Sequence, residues 1–80
     1  MKTGNVFFFD GLEYVIALCA QTKSGNAALL LSSDENRCIT VSDLNIDGMG
    51  GGSWKRGYYA VNYGDAVSDY YKRIEDKQTI

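Results

Sequence analysis

Val6-Phe7-Phe8-Phe9-Asp10-Gly11-Leu12-Glu13-Tyr14-Val15-Ile16-Ala17-Leu18-Cys19-Ala20 sets one Asp-Gly pair between two apolar runs. Asp and Gly both tolerate positive φ, which a type I′ turn requires at its two central positions, and that turn matches the twist of the strands it joins. The stretch predicts a β-hairpin with a first strand over residues 5–9 and a second over 12–20. Working outward, Thr22-Lys23-Ser24-Gly25-Asn26 reads as another turn, leading into a third strand over 27–32. Asp34-Glu35-Asn36-Arg37 reads as a third turn, leading into a fourth strand over 38–41. Residues 1–41 are thus an antiparallel meander.

The chemistry changes at residue 42. The stretch 42–53 ends with four glycines among its last six residues, and glycine loses more backbone freedom on folding than any other residue. A mobile connector that orders on binding is expected there. A fifth strand follows within 54–63, with its core at 58–63, and then a helix over 65–76. Asp65 can cap that helix by accepting a bond from a first-turn N–H, and Val67, Tyr70, Tyr71 and Ile74 share one of its faces. The early strands are apolar on both sides. The second carries Tyr14, Ile16 and Leu18 on one face and Val15, Ala17 and Cys19 on the other, whereas a sheet with one wet face alternates more cleanly. Something covers both faces. The helix covers one, and the other is closed by the sheet curling into a small barrel or by a second chain. The fold class expected is α+β: an antiparallel meander of four to five strands curled toward a small barrel, with one C-terminal helix packed on it.

Eighty residues make one domain, 1–80. The hydrophobic fraction of 45% is that of a folding chain, and eight basic against ten acidic residues give no excess for gripping duplex DNA. Cys19 and Cys38 form no CxxC pair, and with no histidine a zinc site lacks ligands. No apolar run approaches the ~20 residues that cross a bilayer, and Met1-Lys2-Thr3-Gly4-Asn5 opens no secretory leader. The expectation is a cytoplasmic protein without membrane attachment, with reduced thiols; a Cys19–Cys38 disulfide is the alternative.

Asp43-Leu44-Asn45-Ile46-Asp47-Gly48 matches the opening of a calcium loop, with oxygen donors at the first, third and fifth places and glycine sixth. The match fails at the twelfth place, where Trp54 stands instead of a bidentate Glu, so no metal is expected. Gly48-Met49-Gly50-Gly51-Gly52-Ser53-Trp54-Lys55-Arg56 could wrap an anion with successive amides, but GxxxxGK[ST] is absent. Catalysis has little to draw on. No histidine is present, and Cys19 lies in an apolar strand without a base. The sequence predicts a protein that is not an enzyme and carries no cofactor.

Six of the ten aromatic residues fall within 54–71. With nearby cations they give a partner-binding set of Trp54, Lys55, Arg56, Tyr58, Tyr59, Tyr63, Lys72 and Arg73. Trp, Tyr and Arg dominate binding hot spots because they bury large areas and keep a polar handle. The competing reading is that the tyrosines fill a small core. Trp54, beside a glycine loop and two cations, is expected to be exposed.

Gly4-Asn5-Val6-Phe7, Asp10-Gly11-Leu12-Glu13-Tyr14, Ala28-Leu29-Leu30-Leu31 and Glu35-Asn36-Arg37-Cys38 together resemble a pattern of short phage and prophage proteins. Those carry a Gly-x-x-Phe opening, a turn Gly, a Tyr two or three places on, an Ala-Leu strand and a Gly-Asn-Arg-Trp turn. Glu35 and Cys38 depart from the last element, and the likeness spans residues 4–41. In size, acidity and lack of catalytic groups the chain is also similar to phage anti-defence proteins, including anti-CRISPR inhibitors. That resemblance implies an inhibitor in the host cytoplasm that sterically blocks a host immune protein or ribonucleoprotein. Two alternatives accompany it. One is an oligomer, a homodimer at its simplest, that sequesters a nucleotide signal. The other is a small barrel that binds single-stranded nucleic acid, whose mark is steep salt dependence.

Overall fold

The Asp-Gly turn forms as its chemistry requires, with Asp10 at φ 52° and Gly11 at φ 79°. The computed structural model describes residues 3–23, 25–34 and 37–78, the last four through their backbone. Strands β1 (Val6–Phe9), β2 (Leu12–Thr22), β3 (Gly25–Ser32) and β4 (Cys38–Ser42) follow the expected meander. Two short strands, β5 (Asn45–Ile46) and β6 (Gly52–Ser53), come next, then β7 (Arg56–Ala60) and helix α1 (Tyr63–Gln78). The turns expected around Ser24 and Glu35-Asn36 lie partly outside the described residues. The described part of the latter is organised by Ser32, whose buried hydroxyl donates to Asp34 Oδ1 at 2.5 Å and accepts from the Arg37 amide at 3.0 Å.

All five long strands join one antiparallel sheet in the order β1-β2-β3-β4-β7. With α1 packed on it, this is the α+β architecture expected. The sheet does not close into a barrel, since β1 and β7 remain its two ends.

One face holds a cluster of Phe7, Tyr14, Ile16, Ala28, Leu30, Ile39, Val41 and Leu44. Its cover is not barrel closure. It is the glycine-rich segment itself, which folds back as the β5–β6 hairpin and brings Leu44, Ile46 and Trp54 onto the sheet. Asp43, at φ 57°, starts the reversal, and the Leu44 amide donates to the Asn26 carbonyl at 2.9 Å. Leu44 is completely buried, a stabilisation of roughly 1.5–3 kcal/mol for a side chain of its size.

The opposite face packs Leu29 against Ala66 and Tyr70 of α1, with Ala17, Leu18, Ala20, Val67 and Ile74 around them. Leu18 sits here because the β2–β3 register slips between Ile16 and Leu18. Strict alternation would have placed Leu18 with Ile16. A bulge adds one residue and so reverses the facing of everything beyond it, which corrects the simple period-two assignment of β2. Cys19 consequently faces the first cluster while Cys38 belongs to the second. Both thiols are free, and a bond between them would have to cross the sheet.

The helix begins earlier than its sequence signal. Asn62, not Asp65, is the cap, because Asn62 Oδ1 accepts from the Asp65 amide at 2.9 Å. Asp65 instead lies within the first turn, where its charge complements the helix dipole. Two further contacts pin α1 to β4. The Thr40 hydroxyl donates to the Ala66 carbonyl at 2.9 Å, and Arg73 Nη1 donates to Ser42 Oγ at 2.6 Å.

Candidate partner-binding surfaces

The expected binding set divides into five environments. Trp54 is half-buried, its ring 4.2 Å from that of Phe9 and 6.0 Å, edge-on, from that of Tyr14. The exposure expected of it is therefore corrected: the loop that was to display the indole instead carries it into the first cluster. Arg73 is a structural clip, its Nε on Asp69 at 2.7 Å and its side chain largely enclosed. Lys55 is exposed and pairs with Asp43 at 3.2 Å across the base of the hairpin. Its worth is small, as for most solvated pairs.

Arg56, Tyr58, Tyr59 and Lys72 form a surface at the outer strand. Opposite residues in a ladder share a face, so the β4–β7 register places Tyr58, beside Thr40, on the helix side and Tyr59, beside Ile39, on the hairpin side. A shallow groove runs between Tyr58 and the α1 residues Asp65, Ser68, Asp69 and Lys72. Tyr58 and Tyr59 are 40% and 57% exposed.

Tyr63 stands elsewhere. Asp65, Asp69 and Lys72 recur along the flank of α1 that looks toward β7, while Tyr63, Val67 and Tyr71 recur at i, i+4 and i+8 on the other flank. That flank looks toward the inner strands. There the register aligns one apolar row across the whole sheet: Val6 opposite Val15, Val15 opposite Leu31, Leu31 opposite Cys38, and Cys38 opposite Ala60. The helix covers the Cys38–Ala60 end of this row. Toward β1 the row is open, with Phe8 in the adjoining row beside Glu13. Val6, Phe8, Tyr63 and Tyr71 are 49%, 54%, 49% and 52% exposed. Val6, Phe8, Val15 and Leu31 were not singled out as binding residues from sequence. Their signal was present in the strands that are apolar on both faces, but it was read as a sign of closure.

Polar chemistry elsewhere is self-satisfied. Asp47 Oδ1 accepts from the amides of Met49 and Gly51 at 2.8 and 3.0 Å, so these two amides already hold a carboxylate where an anion was to be cradled. Asp43 is engaged by Lys55, and Asn45 lies in an extended strand. The calcium-like hexapeptide is therefore drawn out along the hairpin instead of wrapped around a point. Among the described residues, no three His, Cys, Asp or Glu side chains cluster as metal ligands. Among those residues, too, no helix is long and apolar enough to cross a membrane. No family model matches the chain, and neither a curated protein nor a solved structure shows significant similarity to it.

Proposed function

We propose that this chain is a non-catalytic binding protein that docks a partner protein on the open apolar row of its sheet and acts by steric block. The observation that carries this reading is the exposure of Val6 and Phe8 at the open β1 end of one continuous apolar row, with Val15 and Leu31 only partly buried behind them. Contiguous apolar patches of this kind on a small protein mark interaction sites, and the exposed tyrosines of α1 offer further area with a polar handle. The resemblance to phage anti-defence proteins supplies the partner class, a host immune protein or ribonucleoprotein.

The test is phage plating on bacterial hosts that each carry one defined defence system, with and without the protein expressed. Restored plating on one host is expected, lost with Phe8→Ser or Tyr71→Ala while the circular dichroism spectrum is unchanged. Absence of rescue on every host, or full rescue by both variants, overturns the reading. Salt-sensitive binding of single-stranded oligonucleotides would point to the nucleic-acid alternative.

A further inference from the structure

The strand β7 ends the sheet, and among the described residues no strand pairs with its outer edge. An edge of this kind presents a row of backbone donors and acceptors that can template another strand, and natural proteins commonly blunt it with lysine, proline, a bulge or a cover. β7 carries one charge, Arg56, at its first position and otherwise only Gly57, Tyr58, Tyr59 and Ala60, with two exposed rings. By contrast, the other end of the sheet is partly covered: Gly51 bridges to Phe8, and the Phe8 amide donates to the Gly50 carbonyl at 2.7 Å.

We propose that β7 pairs antiparallel with β7 of a second copy across a twofold axis near Tyr58, making one continuous ten-stranded sheet. Charge complementarity identifies a second copy as the occupant. Arg56 is exposed at one end of β7 and holds no partner among the described residues. Beside the middle of the strand, the groove next to Tyr58 contains Asp65 and Asp69 together with Lys72. The neighbouring Asp69 is already held by Arg73, which leaves Asp65 as the free carboxylate there. Antiparallel pairing about Tyr58 sets Arg56 of each copy opposite Ala60 of the other, on the helix side, where the guanidinium reaches toward the groove and its Asp65. A twofold axis makes this contact twice, as a self-complementary interface requires. Tyr58 meets its own copy on the helix side as a cross-strand aromatic neighbour, while on the hairpin side Tyr59 stands opposite Gly57 of the other copy and diagonal to its own counterpart. Dimerisation through β7 stands apart from the partner-binding row, which lies toward the opposite end of the sheet.

The test is the solution mass by sedimentation velocity over a concentration series, for the wild type and for Arg56→Glu and Asp65→Lys. A wild-type dimer is expected. Each single substitution places like charges together twice per dimer and should weaken association about tenfold or more. Mixing the two variants restores opposite charges at both contacts, and a heterodimer of near wild-type affinity is expected. A wild-type monomer throughout the series overturns the proposal. So do single variants that dimerise like the wild type, or a mixture of folded variants that fails to recover.

Discussion

Gly51, Gly52 and Gly57 stand where side-chain atoms of their neighbours leave no space. A Cβ on Gly51 would lie 2.9 Å from Asp47 Oδ2, and one on Gly57 would lie 2.8 Å from Trp54 Nε1. At Gly52 it would fall into the Phe7 ring. The run that reads as slack chain is thus a packing surface, cut down to backbone so that β6 can lie on a phenyl ring and β7 can pass under an indole. Gly52→Ala is expected to lower stability by about 1–3 kcal/mol through overpacking of the Phe7 site, read as a shift of the urea midpoint without change of slope. Unaltered stability would mean that the hairpin does not rest on Phe7. Trp54 departs from its expected exposure for the same reason. Its sequence neighbours are glycines and cations, whereas its spatial neighbours are Phe9 and Tyr14.

Elements, more than residues, separate what could be read in advance from what could not. The β1–β2 turn and the apolar runs of β3 and β4 carry their own local instructions and form close to where they were expected. The bulge in β2 has no comparable mark, because Ile16, Ala17 and Leu18 are all apolar and suit either facing. The start of α1 was misplaced because Asn62 and Asp65 are both good cap residues, three positions apart, and only geometry chooses between them. Asn62→Ala should therefore cost about 1 kcal/mol in thermal or urea unfolding. Asp65→Ala should cost less, losing only its charge in the first turn. The reverse order would restore Asp65 as the cap.

At the scale of the whole molecule, one sheet is packed on both sides by different means, a hairpin on one face and a helix on the other. Tyr70 couples helix to sheet, and its ionisation reports on both. Burial, above all, raises its phenol above the ordinary 10.0, with smaller contributions from Cys19 and Tyr71. The unfolded chain then loses this proton first. The contribution of Tyr70 to stability is whole below pH 10.0 and falls as pH rises through the higher folded value. Tyr70→Phe should flatten that alkaline decline in a series of urea melts; an identical decline would show that another group causes it. The helix covers only part of its face, and the open remainder, not the aromatic-rich segment taken whole, is where a partner is proposed to dock. Of the expected set, Arg56, Tyr58, Tyr59 and Lys72 gather at the β7 edge.

Local chemistry in the chain was enough to specify the meander, the α+β class and the presence of a terminal helix, because turn residues and apolar runs act over a few positions. The cover of the first face, the facing of Leu18 and Cys19, and the burial of Trp54 were decided only by the tertiary structure. Each depends on contacts between segments far apart in sequence, such as Leu44 with Asn26 or Gly52 with Phe7, and no local pattern encodes which distant surface a glycine-rich loop will meet.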